Sequence, residues 1–551
     1  MRDPPTQEAL RMRSLVRRAD ALLGRVTMYR VVTILLVALA LVMIALTATG
    51  VFAEPFTVPG QLATLGVLLV ASVVSNAMLA RLLGVRPHTE SAVITGLLLF
   101  MLFWPTTDAV DLAWLAGASA LATASKYVIA WRGRHLLNPT AAGAFLLVVV
   151  QSLAGRDAPV NATWWIASEQ LLPFVVVGAL LVLWRTRRLD VGLLFVVVAA
   201  ALVAWGLSSG QPLGEALRVT ATAYPIVFLA GFMLSEPLTL PPRRWQQLTV
   251  AAATGVVFAL PLALPRLGVS MPDLGVLAIT PELALLAGNL LAFALAPRRG
   301  IRLEIVGTRR LGGDVQEVTF APRHTVPFLP GQYLELHVPH RSDLRGTRRV
   351  FSISSPPEAA DLTVALRVPQ ESSSFKRELM GLQPGARVSA TGVHGDFVWP
   401  RGHSPLLLVA GGIGVTPFLS QLRHGAAGGG IARGTAAGGT AAGGGGAAAR
   451  GRRDVVLVYG VPDGDDVPYA DELVGTGVRV VLVSPAAPSG LPEDWTHVEA
   501  PLLTGDVVVE AVPDAQDRVA LVSGPTAMVD ALRADLRPAC TRVRTDHFTG
   551  Y

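Results

Sequence analysis

A single cysteine, Cys540, stands among 551 residues. Its isolation excludes an internal disulfide, a cysteine-ligated iron–sulfur cluster and a Cys-x-x-Cys redox pair. Charge is also scarce: Asp, Glu, Lys and Arg make up 16% of the chain against 51% hydrophobic residues, and the mean hydropathy is +0.49. That is too apolar for one ordinary soluble domain. The scarcity is uneven. Up to Pro297 charge is nearly confined to short loops, whereas from Arg298 onward Asp, Glu and Arg recur every few residues, as on a solvated surface. The net charge of +6 lies largely in arginines beside hydrophobic stretches, which fits anionic lipid and membrane topology and gives no reason to expect nucleic acid. No metal-ligating set is expected.

The first half holds about ten stretches approaching the ~20 apolar residues that cross a bilayer's hydrocarbon core. Their centres fall near Ala40, Ser72, Leu98, Ala118, Leu147, Val177, Val197, Leu229, Gly255 and Leu286. Arginines crowd the amino-terminal segment (Arg11, Arg13, Arg17, Arg18, Arg25, Arg30) and then alternate loops: Arg81 with Arg86, Arg132 with Arg134, Arg185 with Arg187 and Arg188, Arg243 with Arg244, Arg298 with Arg299. The intervening loops carry at most a lone arginine such as Arg156, Arg218 or Arg266. The positive-inside bias therefore predicts a multi-pass cell-membrane protein with both termini cytoplasmic. Residues 1–30 read as a retained basic segment without a small-residue cleavage site, and residues 31–297 as the polytopic α-helical membrane domain.

Polar residues inside such spans cost at least ~2–3 kcal/mol when charged at mid-membrane. Lys126, His135, Asn138, Thr140, Glu236, Thr239, Glu282 and Asn289 are the candidates, placed either near the headgroups, where long side chains snorkel, or in an internal site. Ser125-Lys126-Tyr127, Arg134-His135, Leu137-Asn138-Pro139-Thr140 and the stretch Phe232 to Thr239 resemble the flavin-carrying membrane proteins of Rnf electron-transport complexes (the D component) and of sodium-translocating NADH:quinone reductases (the B component). That resemblance covers roughly residues 30–297 and implies a flavin mononucleotide (FMN) in the membrane domain. The family's threonine-linked flavin lies in a Ser-Gly-Ala-Thr stretch that is absent here. Val219-Thr220-Ala221-Thr222 is a distant look-alike, so Thr222 is a weak attachment candidate and non-covalent FMN stays open. Haem is the competing cofactor, with only His88 and His135 near the membrane to ligate it.

The second half divides again. From Ile301 to about Pro400 short β-rich runs alternate with turn residues, predicting a small antiparallel barrel over 298–402. From Pro405 the pattern changes to continuous apolar strands, Leu406–Ala410, Val455–Tyr459, Val478–Val483 and Val519–Val522, alternating with helices. Such strands suit a parallel α/β sheet over 403–551, with a nucleotide at their carboxyl ends. Residues 425–453 are almost wholly Gly and Ala and are expected to be a disordered insertion.

Phe328-Leu329-Pro330-Gly331-Gln332-Tyr333, Arg349-Val350-Phe351-Ser352-Ile353-Ser354, Ala410 to Pro417, Tyr459-Gly460, Ser523-Gly524-Pro525-Thr526-Ala527-Met528 and Phe548-Thr549-Gly550-Tyr551 occur in that order. Together they resemble the ferredoxin–NADP reductase superfamily over residues 301–551. The resemblance implies that Arg349 pairs with the FAD pyrophosphate, Phe351 packs beside the cofactor, Ser352 hydrogen-bonds near flavin N5, and Tyr333 and Ser354 line the same site. Ser373-Ser374-Phe375-Lys376 falls where the family sets a helix start against the pyrophosphate. Gly411, Gly412, Gly414, Thr416 and Pro417 are expected to bring backbone and a helix start to the nicotinamide nucleotide, joined by Tyr459, Gly460, Gly524, Pro525 and Met528. Ser523 stands where this family often has a cysteine on the hydride path. Thr416 would border the nicotinamide and Tyr551 would cover the flavin. The loop Val461-Pro462-Asp463-Gly464-Asp465-Asp466 and Ser484-Pro485-Ala486 lack the cations a 2′-phosphate needs, which favours NADH over NADPH.

The two resemblances imply a membrane-integral NAD(P)H:acceptor oxidoreductase that passes electrons from NADH through FAD to the membrane domain and on to a quinone or an acceptor across the bilayer. Two alternatives stand beside it: a redox-driven ion transporter, and a membrane-anchored reductase of a soluble cytosolic carrier. The oligomeric state is not legible.

Overall fold

The structure is a computed structural model that describes residues 28–52, 54–84, 89–131, 134–156, 160–270, 277–296, 300–340, 347–428 and 453–548. Two compact units part between residues 299 and 300.

The apolar unit is built of helices whose starts are written in the sequence. Asp108 Oδ1 accepts the Val110 and Asp111 amides to cap Ala109–Val128, Asn138 Oδ1 accepts the Ala141 amide to cap Pro139–Leu153, and Thr280 Oγ1 accepts the Leu283 amide to cap Pro281–Leu295. Each satisfies an amide that the helix itself leaves open. Small residues then let helices approach. A Cβ on Gly143 would lie 2.4 Å from the Ala122 Cβ, and one on Gly231 would lie 2.4 Å from the Ala179 Cβ. Such contacts drive helix association where lipid removes the hydrophobic difference between inside and outside. Ile34, Leu41, Val70, Met78, Val177 and Val197 meanwhile point outward, each more than half exposed.

Every one of the ten expected span centres lies in a helical segment. Ten membrane spans are not thereby shown. Among the described residues, four helices are long and apolar enough to cross a membrane: Met28–Ala48, Val58–Leu82, Leu189–Leu207 and Arg244–Arg266. The pair Leu213–Ala223 and Ile226–Leu234, bent by 49°, makes a fifth if it counts as one span. Thr89–Leu102, Pro139–Leu153, Leu172–Arg185 and Pro281–Leu295 are shorter apolar helices. At 1.5 Å per residue, 15 residues rise only about 22 Å, short of a ~30 Å hydrocarbon core.

In the second unit the first sheet has the order β6-β5-β8-β3-β4-β7, with β3 Ile301–Gly312, β4 Val315–Pro322, β5 Tyr333–His337, β6 Arg348–Ser352, β7 Leu362–Arg367 and β8 Arg387–His394; the short hairpin β1 Ala130–Trp131 and β2 Arg134–His135 belongs to the apolar unit. All pairings in this first sheet are antiparallel, and its two edges meet where Ile353 bridges Val364, so the sheet rolls into an open barrel. Ile301, Leu303 and Ile305 alternate inward along β3, the period of a strand with one wet face.

The second sheet is parallel, in the order β12-β11-β10-β9-β13-β14: β9 Leu406–Gly411, β10 Val455–Gly460, β11 Arg479–Ser484, β12 Trp495–Glu499, β13 Val519–Pro525 and β14 Arg542–Phe548. Its central strands are buried on both faces, which is why they read as unbroken apolar runs. Buried Arg518 pins the amino ends of β9 and β13, donating to Asp454, Asp514 and the Leu406 carbonyl. The helix after β9 runs Thr416–Ala427, so residues 425–427 continue it and are not part of an insertion, while 429–452 lie outside the described residues.

Candidate functional site

Sheet order reverses at β9, whose neighbours are β10 on one side and β13 on the other. In open α/β sheets a crevice forms outside the carboxyl ends of the strands at such a point. Here those ends carry Gly411-Gly412 on β9, Ser523-Gly524 on β13 and Asp546 on β14. Ser523 is in register with Ala410 on one side and Asp546 on the other.

The glycines divide by function. A Cβ on Gly411 would lie 2.3 Å from Met528 Sδ, and one on Gly414 would lie 2.4 Å from the Ser523 carbonyl oxygen. Gly414 is glycine because the turn Gly412–Val415 passes the end of β13 at backbone distance, whereas Gly411 makes room for the Met528 side chain. Gly412, at φ +52°, faces open space with nothing within 4 Å of a Cβ. It is the position of the motif where backbone alone borders the crevice. Thr416 is buried and donates to the Ile413 carbonyl at 3.0 Å, closing the turn, and Pro417 opens the helix behind it. The Ser523 hydroxyl is buried without a hydrogen-bond partner among the described residues. An unmet buried hydroxyl costs free energy unless something else meets it.

Asp546 was not foreseen from sequence. Burial pushes its carboxyl up to about 6. The strand Arg542–Phe548 is polar at most of its positions, so nothing local singled Asp546 out. Tyr459 lands elsewhere than expected: its ring is fully buried in the sheet's core, its hydroxyl reaches toward the Pro468 carbonyl at 3.5 Å, and only Gly460 reaches the strand end. Burial and the nearby Asp466 carboxylate raise its phenol pKa far above the ordinary value.

On the barrel, Arg349 is 5% exposed and its guanidinium lies over the Phe375 ring at 5.2 Å, with Nη1 donating to the Arg348 carbonyl at 2.6 Å. Phe375 belongs to the first turn of the helix Ser374–Gly381, which Ser373 caps by accepting the Lys376 amide. The arginine is thus stacked against the start of a helix, and both favour an anion there. Phe351 packs 5.9 Å from Phe375. His340 fixes Ser374 from outside, with Nδ1 on the Val338 carbonyl at 2.8 Å and Nε2 on the Ser374 hydroxyl at 3.0 Å. Ser352 is buried at the end of β6 beside Tyr333, its partner in register, and the Tyr333 ring stacks on His394 at 5.8 Å and 10°. Gln332 shapes this corner by donating to the Gly395 carbonyl, a contact the sequence did not disclose. Ser354 is fully buried on Thr363 at 2.7 Å. Tyr551 lies outside the described residues.

The residues fit a flavin dinucleotide and a nicotinamide nucleotide. A buried arginine at a capped helix start suits a pyrophosphate, and an unpartnered hydroxyl beside a Cβ-free turn suits a carboxamide and ring at the crevice.

In the apolar unit the structure brings together polar residues of distant segments. Glu236 Oε1 meets His135 Nε2 and Oε2 accepts from Asn138 Nδ2, both at 3.1 Å, while the Asn138 amide donates to Asn289 Oδ1 at 2.7 Å. Glu236 follows a π-helical turn, Leu229–Leu234, a form common where a helix must re-aim a side chain. Lys126 Nζ is held apart on Thr95 and Ser91, and Glu282 accepts from Trp164 Nε1. Thr222 is partly exposed and bonded back to the Arg218 carbonyl within its helix. His88 lies outside the described residues.

An open antiparallel barrel carrying a buried arginine is followed by a parallel sheet with a glycine turn at its switch point, and over this unit the chain is similar to flavin-dependent NAD(P)H reductases of the ferredoxin–NADP reductase type. No family model matches the chain. It is 27% identical over 246 residues to the reductase component of propane 2-monooxygenase from Mycolicibacterium goodii, covering 43% of this chain and 63% of that protein. It is 33% identical over 177 residues to ferredoxin–NADP reductase B of Sorangium cellulosum, covering 31% of this chain and 61% of that one. The chain thus spans less than two thirds of either relative. Among solved structures, the cytochrome P450 reductase of Amycolatopsis aligns with a TM-score of 0.37 at 24% identity, over 46% of this chain and 70% of that one.

Proposed function

We propose that the chain is a membrane-integral, flavin-dependent NAD(P)H:acceptor oxidoreductase. The observation that carries this is one unit holding both a buried Arg349 at a helix start and an open crevice at the β9/β13 switch point, in a chain whose other unit bears at least four helices fit to cross a bilayer. FAD, when bound, supplies the exchange between two-electron nicotinamide chemistry and single-electron release. Arg349 and the amides of Ser374 and Phe375 would neutralise the pyrophosphate, and Phe351 and Tyr333 would wall the cofactor. Ser352 would set a hydroxyl at the flavin edge. Gly412 would admit the nucleotide backbone, the Pro417 helix start would favour its charge, and Ser523 would hold the carboxamide.

NADH is the favoured donor. Asp463, Asp465 and Asp466 follow β10, and Asp465 is held by the Ser489 amide and hydroxyl, which depress its carboxyl below the usual range. That acidic, pre-bonded loop repels a 2′-phosphate. Electrons would then leave through the membrane half to a quinone or an acceptor across the bilayer, with both termini cytoplasmic. A second possibility, a membrane-anchored reductase of a soluble carrier, is favoured by relatives that are themselves reductase components of oxygenases.

Acid extraction of flavins from the purified chain, with NADH oxidation by artificial acceptors, tests the proposal. FAD with turnover supports it, FMN in addition makes the membrane half redox-active, and neither flavin nor turnover refutes it. Full physiological activity in a fragment of residues 301–551 would favour the anchored reductase instead.

A further inference from the structure

The barrel and the parallel sheet share one unit, and their seam holds buried charge that none of the roles above uses. Glu317 on β4 is 5% exposed, and its Oε2 accepts the hydroxyl of Tyr469 at 2.7 Å. Its Oε1 accepts Arg309 Nη2 at 3.0 Å, and the same guanidinium nitrogen reaches Glu472 at 2.5 Å. Tyr469 belongs to the nucleotide side, at the end of the loop that leaves β10 at Gly460, and it is 2% exposed. Its backbone sits at φ +65°, ψ 24°, a left-handed conformation that a bulky L residue adopts only when its surroundings over-determine it.

The phenol has a second neighbour. Tyr469 Oη lies 3.5 Å from Ser354 Oγ, and Ser354 is locked to Thr363 by hydroxyl and backbone. Ser354 stands two residues past Ser352. The next residue, Ser355, is held from the nucleotide side as well, its carbonyl accepting Ser420 Oγ from the helix Thr416–Ala427 at 2.7 Å. The strand end that carries Ser352 therefore runs into two clamps on the nucleotide half, one from the helix after β9 and one from the loop after β10.

We propose that Tyr469, seated on Glu317, is a positioning residue that fixes the nicotinamide-binding sheet against the flavin-binding barrel and thereby sets the approach of donor carbon to flavin nitrogen. This rests on the reductase function proposed above. Buried charge–phenol pairing suits the task because it is directional where an apolar seam would let the two halves slide. Transfer between stacked rings is steep in distance: a misplacement of about 1 Å costs on the order of a hundredfold. Tyr469 touches neither ring, so its effect passes through Ser354 and the Gly460–Tyr469 loop.

The test uses the full-length, flavin-loaded protein and Tyr469→Phe, which keeps the ring and removes the hydroxyl. Anaerobic stopped-flow gives the limiting rate of flavin reduction and its dependence on NADH concentration, with the deuterium isotope effect and the long-wavelength charge-transfer band as reporters of ring stacking. The expected result is unchanged flavin content, a limiting rate lowered about tenfold or more, a weakened band, and a half-saturating NADH concentration within about threefold. Equal rate and band in the variant would overturn the inference, as would a loss matched by lost flavin. If Tyr469→Phe does not fold, Glu317→Gln carries the same test with the same two outcomes. A wild-type protein that NADH fails to reduce would sink the reductase function itself, whereas an active wild type with an equally active variant sinks only the role of Tyr469.

Discussion

Ser523 and Asp546 face each other across neighbouring parallel strands at the crevice end of the sheet, one a buried hydroxyl without a partner among the described residues and the other a carboxyl raised to about 6 by burial. The folded state prefers Asp546 protonated, whereas the unfolded chain ionises it near 3.8. Its contribution to stability is therefore fully present below the unfolded value and is lost as pH rises through about 6, a change of roughly 3 kcal/mol. Asp546→Asn should abolish that slope. The check is the denaturation midpoint of the detergent-solubilised protein at mildly acidic and neutral pH: wild type weakens toward neutrality and the variant does not.

Gly412 and Gly414 should fail in different ways. Gly414→Ala drives a methyl into the Ser523 carbonyl and should cost about 1–3 kcal/mol of stability. Gly412→Ala has space for the methyl but strains a positive φ, so it should cost less stability and raise the half-saturating NADH concentration severalfold. Thermal melts and NADH titrations of both variants distinguish the two roles.

Nucleotide choice follows from charge. The ratio of kcat/KM for NADH over NADPH should be at least about tenfold, the effect of about 1.4 kcal/mol. Asp463→Arg should narrow it or reverse it. An unchanged ratio in that variant would place the 2′-hydroxyl elsewhere.

Glu236 holds two donors, His135 and Asn138, inside the apolar unit. Glu236→Ala leaves both without their acceptor and should destabilise that unit by about 2–4 kcal/mol, while Glu236→Gln, which still accepts, should cost less. Thermal unfolding in detergent, monitored by tryptophan fluorescence, separates them.

Local pattern carried much of this far. The inward alternation of Ile301, Leu303 and Ile305 and the unbroken run Leu406–Ala410 announce an antiparallel and a buried parallel strand, because each period follows from how many faces are covered. The glycine turn was legible for the same local reason. What stayed hidden depends on register between distant segments: Asp546 acquires meaning only opposite Ser523, and Tyr469 only against Glu317, 152 residues away. Motif order says where the strand ending in Tyr459-Gly460 stops and not that the Tyr459 ring is buried. The number of spans stays open because four of the apolar helices have only 14 or 15 residues, fewer than a bilayer's hydrocarbon core needs.

Arg349, stacked on Phe375 at a capped helix start, is where the proposed function is most exposed to refutation. The most direct measurement is anaerobic mixing of the purified chain with NADH while its visible absorbance is followed, beside the Arg349→Ala variant. The account predicts a yellow protein that bleaches on NADH addition, and a variant that purifies with little flavin. A colourless wild type, or a variant with full colour and full bleaching, would contradict it.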